Sequence, residues 1–231
     1  MDRVALITGG SSGIGAQTTR KLLAAGHRVA VVGRDADRLA RFTAGLDAPD
    51  EVLAITGDAT DYPAMAAAVQ ETVRRFGRLD CVIASAGFSS HDTIADADPD
   101  RLREMVLTNV LGPALLVKAA LPALRDSRGR IVLLGSVAGF RNSPGNMYSV
   151  TKWAVTALAE NTRQLVTGDG IGVTLIAPGP VDTPFFDQRP QGAPPLALRP
   201  ENIADAVSWA IAQPEGVDVN TMVIRPVGLG G

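Results

Sequence analysis

Short apolar, β-branched runs alternate along this chain with stretches whose apolar positions recur every three or four residues. The first pattern predicts strands at Val4–Thr8, Arg28–Val32, Val52–Thr56, Cys81–Ala84, Arg130–Leu134, Gly172–Ile176 and Asn220–Ile224. The second predicts helices at Ile14–Ala25, Asp35–Ala44, Pro63–Phe76, Pro99–Ala123, Asn146–Val166 and Glu201–Ala212. The strand runs are apolar nearly throughout, which suits strands covered on both faces. Repeated strand–helix–strand units imply right-handed crossovers and an α/β fold: a single-domain, Rossmann-type, doubly wound parallel sheet of about seven strands with helices on both faces. Asp98-Pro99 reads as a helix cap followed by proline at the first helical position, and Gly26 and Gly77 as helix stops.

Residues 1–231 read as one dinucleotide-binding catalytic domain. The stretch from Asp187 carries Pro190, Pro194, Pro195 and Pro200. It reads as part of a mobile substrate loop at about 183–200, because too little chain follows it to build a second core.

Composition narrows the classes. The chain has 231 residues, 46% hydrophobic and 20% charged, with a formal net charge of -2. That balance argues against disorder and against a broad basic face for nucleic acid or anionic lipid. The sole cysteine, Cys81, and the two histidines, His27 and His91, argue against a disulfide and against a Cys- or His-based metal site, so no metal is expected. The N-terminus enters a strand pattern at once, without a signal-peptide hydrophobic region, and no apolar run is read as a bilayer span. A cytoplasmic, reducing location without membrane association is the expectation.

The first strand runs directly into Thr8-Gly9-Gly10-Ser11-Ser12-Gly13-Ile14-Gly15, which opens the first helix. Glycines let the backbone approach a pyrophosphate, and the helix start offers unpaired N–H groups and the positive end of a dipole. A tight turn alone could be only a connection; the strand–turn–helix setting points to a dinucleotide. After the second strand comes Gly33-Arg34 rather than an acidic residue. Gly33 leaves space and Arg34 offers a guanidinium to a 2′-phosphate, so NADP is favoured over NAD; the competing reading is a solvated arginine at a helix start. Asp58, ahead of Ala59, could accept from the adenine amino group or cap the following helix.

Tyr148 and Lys152 stand four apart in a predicted helix, on one face. A nearby ammonium favours the phenolate, so the pair suits general acid/base work on a carbonyl/alcohol couple. With two tyrosines and three lysines in the chain, this spacing would arise by chance only about 0.03 times. Ser136 falls at the end of the fifth strand, where such sheets hold ligands, and its hydroxyl can bond a substrate oxygen. Asn109 lies inside the long helical stretch before that strand, where the bland reading is a solvated or back-bonded amide.

On Thr8-Gly-x-x-x-Gly13-x-Gly15, Asn109, Ser136, Tyr148, Lys152 and Pro178-Gly179-Pro180-Val181-Asp182-Thr183, the chain resembles the short-chain dehydrogenase/reductase family over essentially its whole length. The resemblance implies that Tyr148 is the proton donor or acceptor. Lys152 would lower its pKa and bond the nicotinamide ribose, Ser136 would position the substrate oxygen, and Asn109 would hold a water linking Lys152 to solvent. Pro178 and Gly179 would pack by the nicotinamide, with Val181 and Thr183 bonding its carboxamide. One motif departs: the usual Asn-Asn-Ala-Gly is Ala84-Ser85-Ala86-Gly87 here. Ala86 and Gly87 keep room beside the adenine ribose, while Ser85 has one hydrogen-bonding group fewer, so weaker bracing of that loop is expected at about 1 kcal/mol.

The tail, with Arg199-Pro200-Glu201-Asn202, Trp209 and Pro226, is similar to the NADP-dependent branch acting on serine and other 3-hydroxy acids. Ser136, Ala138, Gly139, Arg141, Asn142, Met147 and the run from Pro180 to Phe186 are the expected substrate wall. Phe185 offers apolar area, and Arg141 either grips a carboxylate or is a solvent-facing loop residue. His91 reads as an exposed loop histidine, Cys81 as inert core, and Trp153 and Trp209 as packing or subunit contact. The expected partner is a small carbonyl or alcohol. A homotetramer is implied by the resemblance, through the two long helices and through the last helix and strand. The competing class is a catalytically silent dinucleotide-binding sensor or scaffold, which would have no need of the Asn109, Ser136, Tyr148 and Lys152 relay.

Overall fold

A computed structural model describes residues 3–187, 189 and 191–229. Seven strands form one parallel sheet: β1 (Val4–Thr8), β2 (Arg28–Gly33), β3 (Val52–Thr56), β4 (Cys81–Ala84), β5 (Arg130–Leu134), β6 (Gly172–Pro178) and β7 (Thr221–Ile224), in the order β3-β2-β1-β4-β5-β6-β7. The expected bounds hold to within two residues at every strand end. The helices are α1 (Gly13–Ala24), α2 (Ala36–Ala44), α3 (Tyr62–Phe76), α4 (Pro99–Val106), α5 (Gly112–Ser127), α6 (Met147–Val166) and α7 (Pro200–Ile211).

Alternation along each strand sorts the core into two layers. Val4 and Leu6 point to one face, with Met65 of α3, Leu116 of α5 and Val155 of α6. Ala5 and Ile7 point to the other, with Leu22 of α1, Leu39 of α2 and Val207 of α7. All of these side chains are at most 2% exposed, and each large one contributes about 1.5–3 kcal/mol. Helix limits follow local chemistry. Asp98 caps α4 by accepting from Asp100 N at 2.8 Å, ahead of Pro99. Gly77 ends α3 in the left-handed conformation at φ 82°.

Two expectations need correction. The long helix read as Pro99–Ala123 is not one even helix: a π-turn at Leu107–Leu111 separates α4 from α5, which runs on to Ser127. The whole run Pro99–Ser127 is also long and apolar enough, by length and composition, to cross a membrane, where no such run was expected. In this fold it is a core element, burying Leu116, Val117, Ala120 and Leu124 under the sheet.

The strand order reverses direction between β1 and β4, so the loops leaving these two strands diverge to opposite faces. That divergence opens a crevice at the carboxyl end of the sheet. The segment after β6 closes back over it, where Val181 bridges Leu198 and Asp182 N donates to Leu198 O at 2.8 Å. Of the loop expected at about 183–200, Gln188 and Pro190 lie outside the described residues.

Candidate active site

The crevice is a cleft of about 890 Å³. One wall begins at the glycine turn. Gly9 adopts φ +68°, and a Cβ there would lie 3.0 Å from the Ala86 backbone. At Gly15 a Cβ would collide with the Gly9 carbonyl, so Gly15 supports the turn from behind without lining the cleft. Gly9, Ser11, Ser12, Gly13 and Ile14 do line it. Ser12 caps α1 without a side-chain cap bond, and the first turn of α1 holds no acidic residue. The chain therefore presents backbone N–H groups and a positive dipole end to the cleft, in a cradle that any side chain would fill. These residues fit a pyrophosphate.

Arg34 lies at the rim, beyond Gly33, with its Nη1 3.1 Å from Glu104 Oε1. Asp58 and Ala59 line the next part of the wall. The capping reading of Asp58 is overturned: Asp61 caps α3, accepting from Ala64 N at 3.2 Å. Asp58 Oδ1 instead accepts from Thr60 N and Thr60 Oγ1, both at 2.8 Å, because its short side chain folds back two residues on.

Ser85, Ala86 and Gly87 form the floor, with Ala86 N 3.5 Å from Thr8 Oγ1. Strong bracing of this loop comes from Asn109. Its Oδ1 accepts from Phe88 N at 3.0 Å, its Nδ2 donates to Phe88 O at 2.9 Å and to Thr151 Oγ1 at 3.1 Å. Asn109 is 1% exposed, so neither a solvated nor a back-bonded amide describes it. The π-turn explains why: an extra residue in that turn swings position 109 inward.

Ser136 follows β5 and caps the short turn Val137–Phe140 by accepting from Ala138 N at 3.1 Å. That turn packs hard on α6: a Cβ on Gly139 would lie 2.6 Å from Lys152 O, and Ser149 Oγ donates to the Ala138 and Arg141 carbonyls at 2.8 Å each. Asn146 caps α6, accepting from Ser149 N at 2.9 Å. Tyr148 thus starts the helix on the same cleft wall as Ser136. Lys152 sits one turn on, its Nζ donating to Leu134 O at 2.8 Å and lying 5.6 Å from the Tyr148 ring centre. All three side chains line the cleft together.

Their electrostatics differ from the sequence expectation. Burial pushes the Tyr148 phenol up to about 12, with the nearby Ser136 side chain opposing it. Burial alone holds the Lys152 amine down, at about 8. Desolvation, which disfavours both charged forms, outweighs the expected help of ammonium to phenolate. Burial likewise raises the Cys81 thiol to about 12, in keeping with an inert core residue.

Pro178, Gly179, Val181 and Thr183 line the far wall, with Thr183 Oγ1 donating to Val181 O at 3.2 Å. Ala138 and Phe185 line the same cleft. Arg141 and Met147 do not. Arg141 is exposed and lies off the cleft, and Met147, the first residue of α6, does not line it; Gly139 and Asn142 are also off it. The α6 cap residue Asn146 itself lines the cleft, two residues before Tyr148. The cleft also gains His91. Its ring stacks on Phe186 at 5.9 Å and meets Phe185 edge-on at 5.3 Å, with Nε2 3.1 Å from Phe185 O. Phe185 in turn lies 5.4 Å from the Tyr148 ring. Arg101, Glu104 and Thr108 also line the cleft and were missed. Their spacing of three and four residues is the signal that could have found them.

A family model for short chain dehydrogenases matches residues 3–193. An uncharacterized oxidoreductase from Staphylococcus epidermidis is 36% identical over 228 residues, 98% of each chain. Among solved structures, an alcohol dehydrogenase from the archaeon Thermococcus sibiricus, complexed with 5-hydroxy-NADP, superimposes with a TM-score of 0.91 at 29% identity. That alignment covers 100% of this chain and 99% of that one. The serine dehydrogenase of Escherichia coli superimposes with a TM-score of 0.87 at 27% identity, covering 99% and 100%.

Proposed function

The chain belongs to the short-chain dehydrogenase family, and from that premise we propose an NADP-dependent oxidoreductase that interconverts a ketone or aldehyde and an alcohol, with Tyr148 as general acid/base. The observation that carries this reading is the meeting of Ser136, Tyr148 and Lys152 in one cleft with the glycine turn. The relative crystallised with a modified NADP lends the cofactor class support.

The glycine turn would hold the pyrophosphate, and Arg34 the 2′-phosphate. Asp58 and Ala59 would face the adenine; Ser85, Ala86 and Gly87 would border its ribose. Tyr148 and Lys152 would hold the nicotinamide ribose. Pro178, Gly179, Val181 and Thr183 would flank the nicotinamide ring. When bound, the dinucleotide supplies or accepts the hydride. In the reducing direction, Ser136 Oγ hydrogen-bonds the carbonyl oxygen and Tyr148 Oη gives that oxygen its proton. A phenol raised to about 12 keeps its proton at neutral pH and is ready as an acid. Lys152, charged below about pH 8, favours the phenolate left behind. The water that the family resemblance gives to Asn109 belongs to this reading, beside Lys152.

Phe185, Phe186 and His91 make the substrate end apolar and aromatic, which suits a hydrophobic carbonyl compound. With Arg141 off the cleft, carboxylate recognition by that residue has no support. A 3-hydroxy acid rests on the branch likeness of the tail and on the serine dehydrogenase relative. The segment 183–200 would act as the substrate loop. Exposed Trp153, Val150 and Phe140 on one side, and Trp209 and Val223 on another, suit the two contacts of a homotetramer; light scattering that gives a monomer would overturn it. A cytoplasmic location goes with this reading.

The test is NADPH consumption against a panel of ketones and aldehydes. Wild type should turn over at least one member, and Tyr148→Phe none, with NADPH affinity nearly intact. Equal turnover by both would overturn the mechanism. Dinucleotide binding with no turnover of any member would favour the silent sensor.

A further inference from the structure

Two loops meet beside Tyr148, and they are tied down unequally. The loop after β4 is fixed at both ends. Asn109 grips the backbone of Phe88, and Ile94 N donates to Gly145 O at 2.8 Å, just ahead of the α6 cap. Between these points the chain turns at His91, whose φ is +62°. Among the described residues, Arg128 is the one other non-glycine with positive φ, and it takes that conformation as the cap that ends α5. His91 ends no helix. Its N–H donates to Ser89 Oγ at 3.0 Å, and Ser89 is 7% exposed. A left-handed residue with a large side chain costs free energy, and such residues gather where a side chain must be aimed.

The segment after Thr183 is held differently. Phe186, Asp187 and Arg189 donate their N–H groups to the carbonyls of Thr183, Pro184 and Phe186, all within the segment itself. His91 reaches it from outside. Its Nε2 lies 3.1 Å from Phe185 O, while its ring stacks on Phe186 and meets Phe185 edge-on. A carbonyl only accepts, so Nε2 carries the proton in this contact, in the neutral ring and in the imidazolium alike. Phe185 in turn sits 5.4 Å from the Tyr148 ring. Resting on the function proposed above, we propose that His91 is a positioning residue. Through its hydrogen bond to Phe185 O it fixes Phe185 beside Tyr148, and so sets the aromatic wall against which the apolar part of the carbonyl substrate packs. His91 acts through Phe185 and takes no part in the proton transfer.

Glycine adopts positive φ freely, so His91→Gly removes the ring and the donor without adding backbone strain. His91→Gln returns a donor at comparable reach. Two measurements on the purified full chain test the proposal. One is steady-state kinetics with NADPH and the carbonyl compound that wild type turns over best. The other is the rate of chymotrypsin cleavage after Phe185 and Phe186 in ligand-free protein. His91→Gly should raise KM for the carbonyl compound by about five- to tenfold, the worth of one hydrogen bond. It should leave kcat and the KM for NADPH near wild type and should speed the cleavage, and His91→Gln should recover most of both losses. An unchanged KM for the carbonyl compound in His91→Gly would overturn the proposal, and so would an unchanged cleavage rate. An equal rise in the KM for NADPH would overturn it too, since that marks a general loosening of the cleft, as would a His91→Gln variant no better than His91→Gly. In each of these cases the oxidoreductase reading stands. A wild-type chain that turns over no carbonyl compound would overturn that reading and the substrate role of His91 with it, while faster cleavage of His91→Gly would still support the hold on Phe185.

Discussion

Arg34 and Glu104 close the rim of the cleft with a 3.1 Å contact, and the other oxygen of Glu104 takes the Arg101 guanidinium at 2.8 Å. One carboxylate from α4 thus bridges a cation from the β2 end and a cation of its own helix. Both partners of the Arg34 pair are substantially exposed, so the pair is worth only about 0–1 kcal/mol. A doubly charged phosphate arriving at Arg34 displaces little.

Arg34→Ala should therefore weaken NADPH by about 10- to 100-fold, the worth of a charge-assisted hydrogen bond, and leave NADH almost unchanged. Fluorescence titration with both cofactors checks this. A parallel loss for both would assign Arg34 a structural role.

The pH profile should separate the two directions of reaction. The Tyr148 phenol, held near 12, is protonated throughout the neutral range. Reduction should accordingly be nearly flat from pH 6 to 8, whereas alcohol oxidation, which draws on the phenolate, should climb as pH rises. Rates at saturating substrate in both directions across that range provide the measurement; an oxidation rate that falls with pH would contradict it.

Stability should also depend on Lys152. Its amine is lowered from 10.5 to about 8, so below pH 8 the folded chain holds a buried ammonium that the unfolded chain would solvate. Between about pH 8 and 10.5 the unfolded state binds more protons, and stability rises by about 3 kcal/mol in all. Lys152→Met escapes this dependence. Denaturant melts should show wild type gaining on the variant from pH 8 to 10; parallel curves would argue against the buried charge.

Asn109→Ala removes three hydrogen bonds and leaves the Phe88 N–H and carbonyl unpaired. A loss of about 1–3 kcal/mol is expected, read in denaturant melts, along with faster proteolysis near Phe88. Undiminished stability would show that water replaces the amide without cost.

Most of the scaffold was legible because its signals are local and repeated. Each strand is an unbroken apolar run bounded by helix periodicity, and Tyr148 and Lys152 need only one helical turn to meet. What escaped depends on phase and on distant partners. No residue in Leu107–Leu111 marks a π-turn by propensity, so Asn109 read as an ordinary helical amide until Phe88 was seen in its grip. Nothing local marks Arg101 and Glu104, because the partner across the rim, Arg34, lies 70 residues from Glu104. Met147 was misplaced by nearness in sequence to Tyr148, and Arg141 because it stands outside α6 on an exposed loop. A helix turns its residues about 100° apart, so neighbours of an inward side chain generally point elsewhere.

The extra residue in the π-turn acts as a gear shift between α4 and α5. With it, the stripe Arg101, Glu104, Thr108 can face the crevice while Leu116, Ala120 and Leu124 of α5 face the sheet. Deleting a single residue there would restore an even spiral, yet rotate one half against the other by about 100°. In this span the number of residues is as constrained as their identity, and a length change would be felt at both ends of the crevice at once.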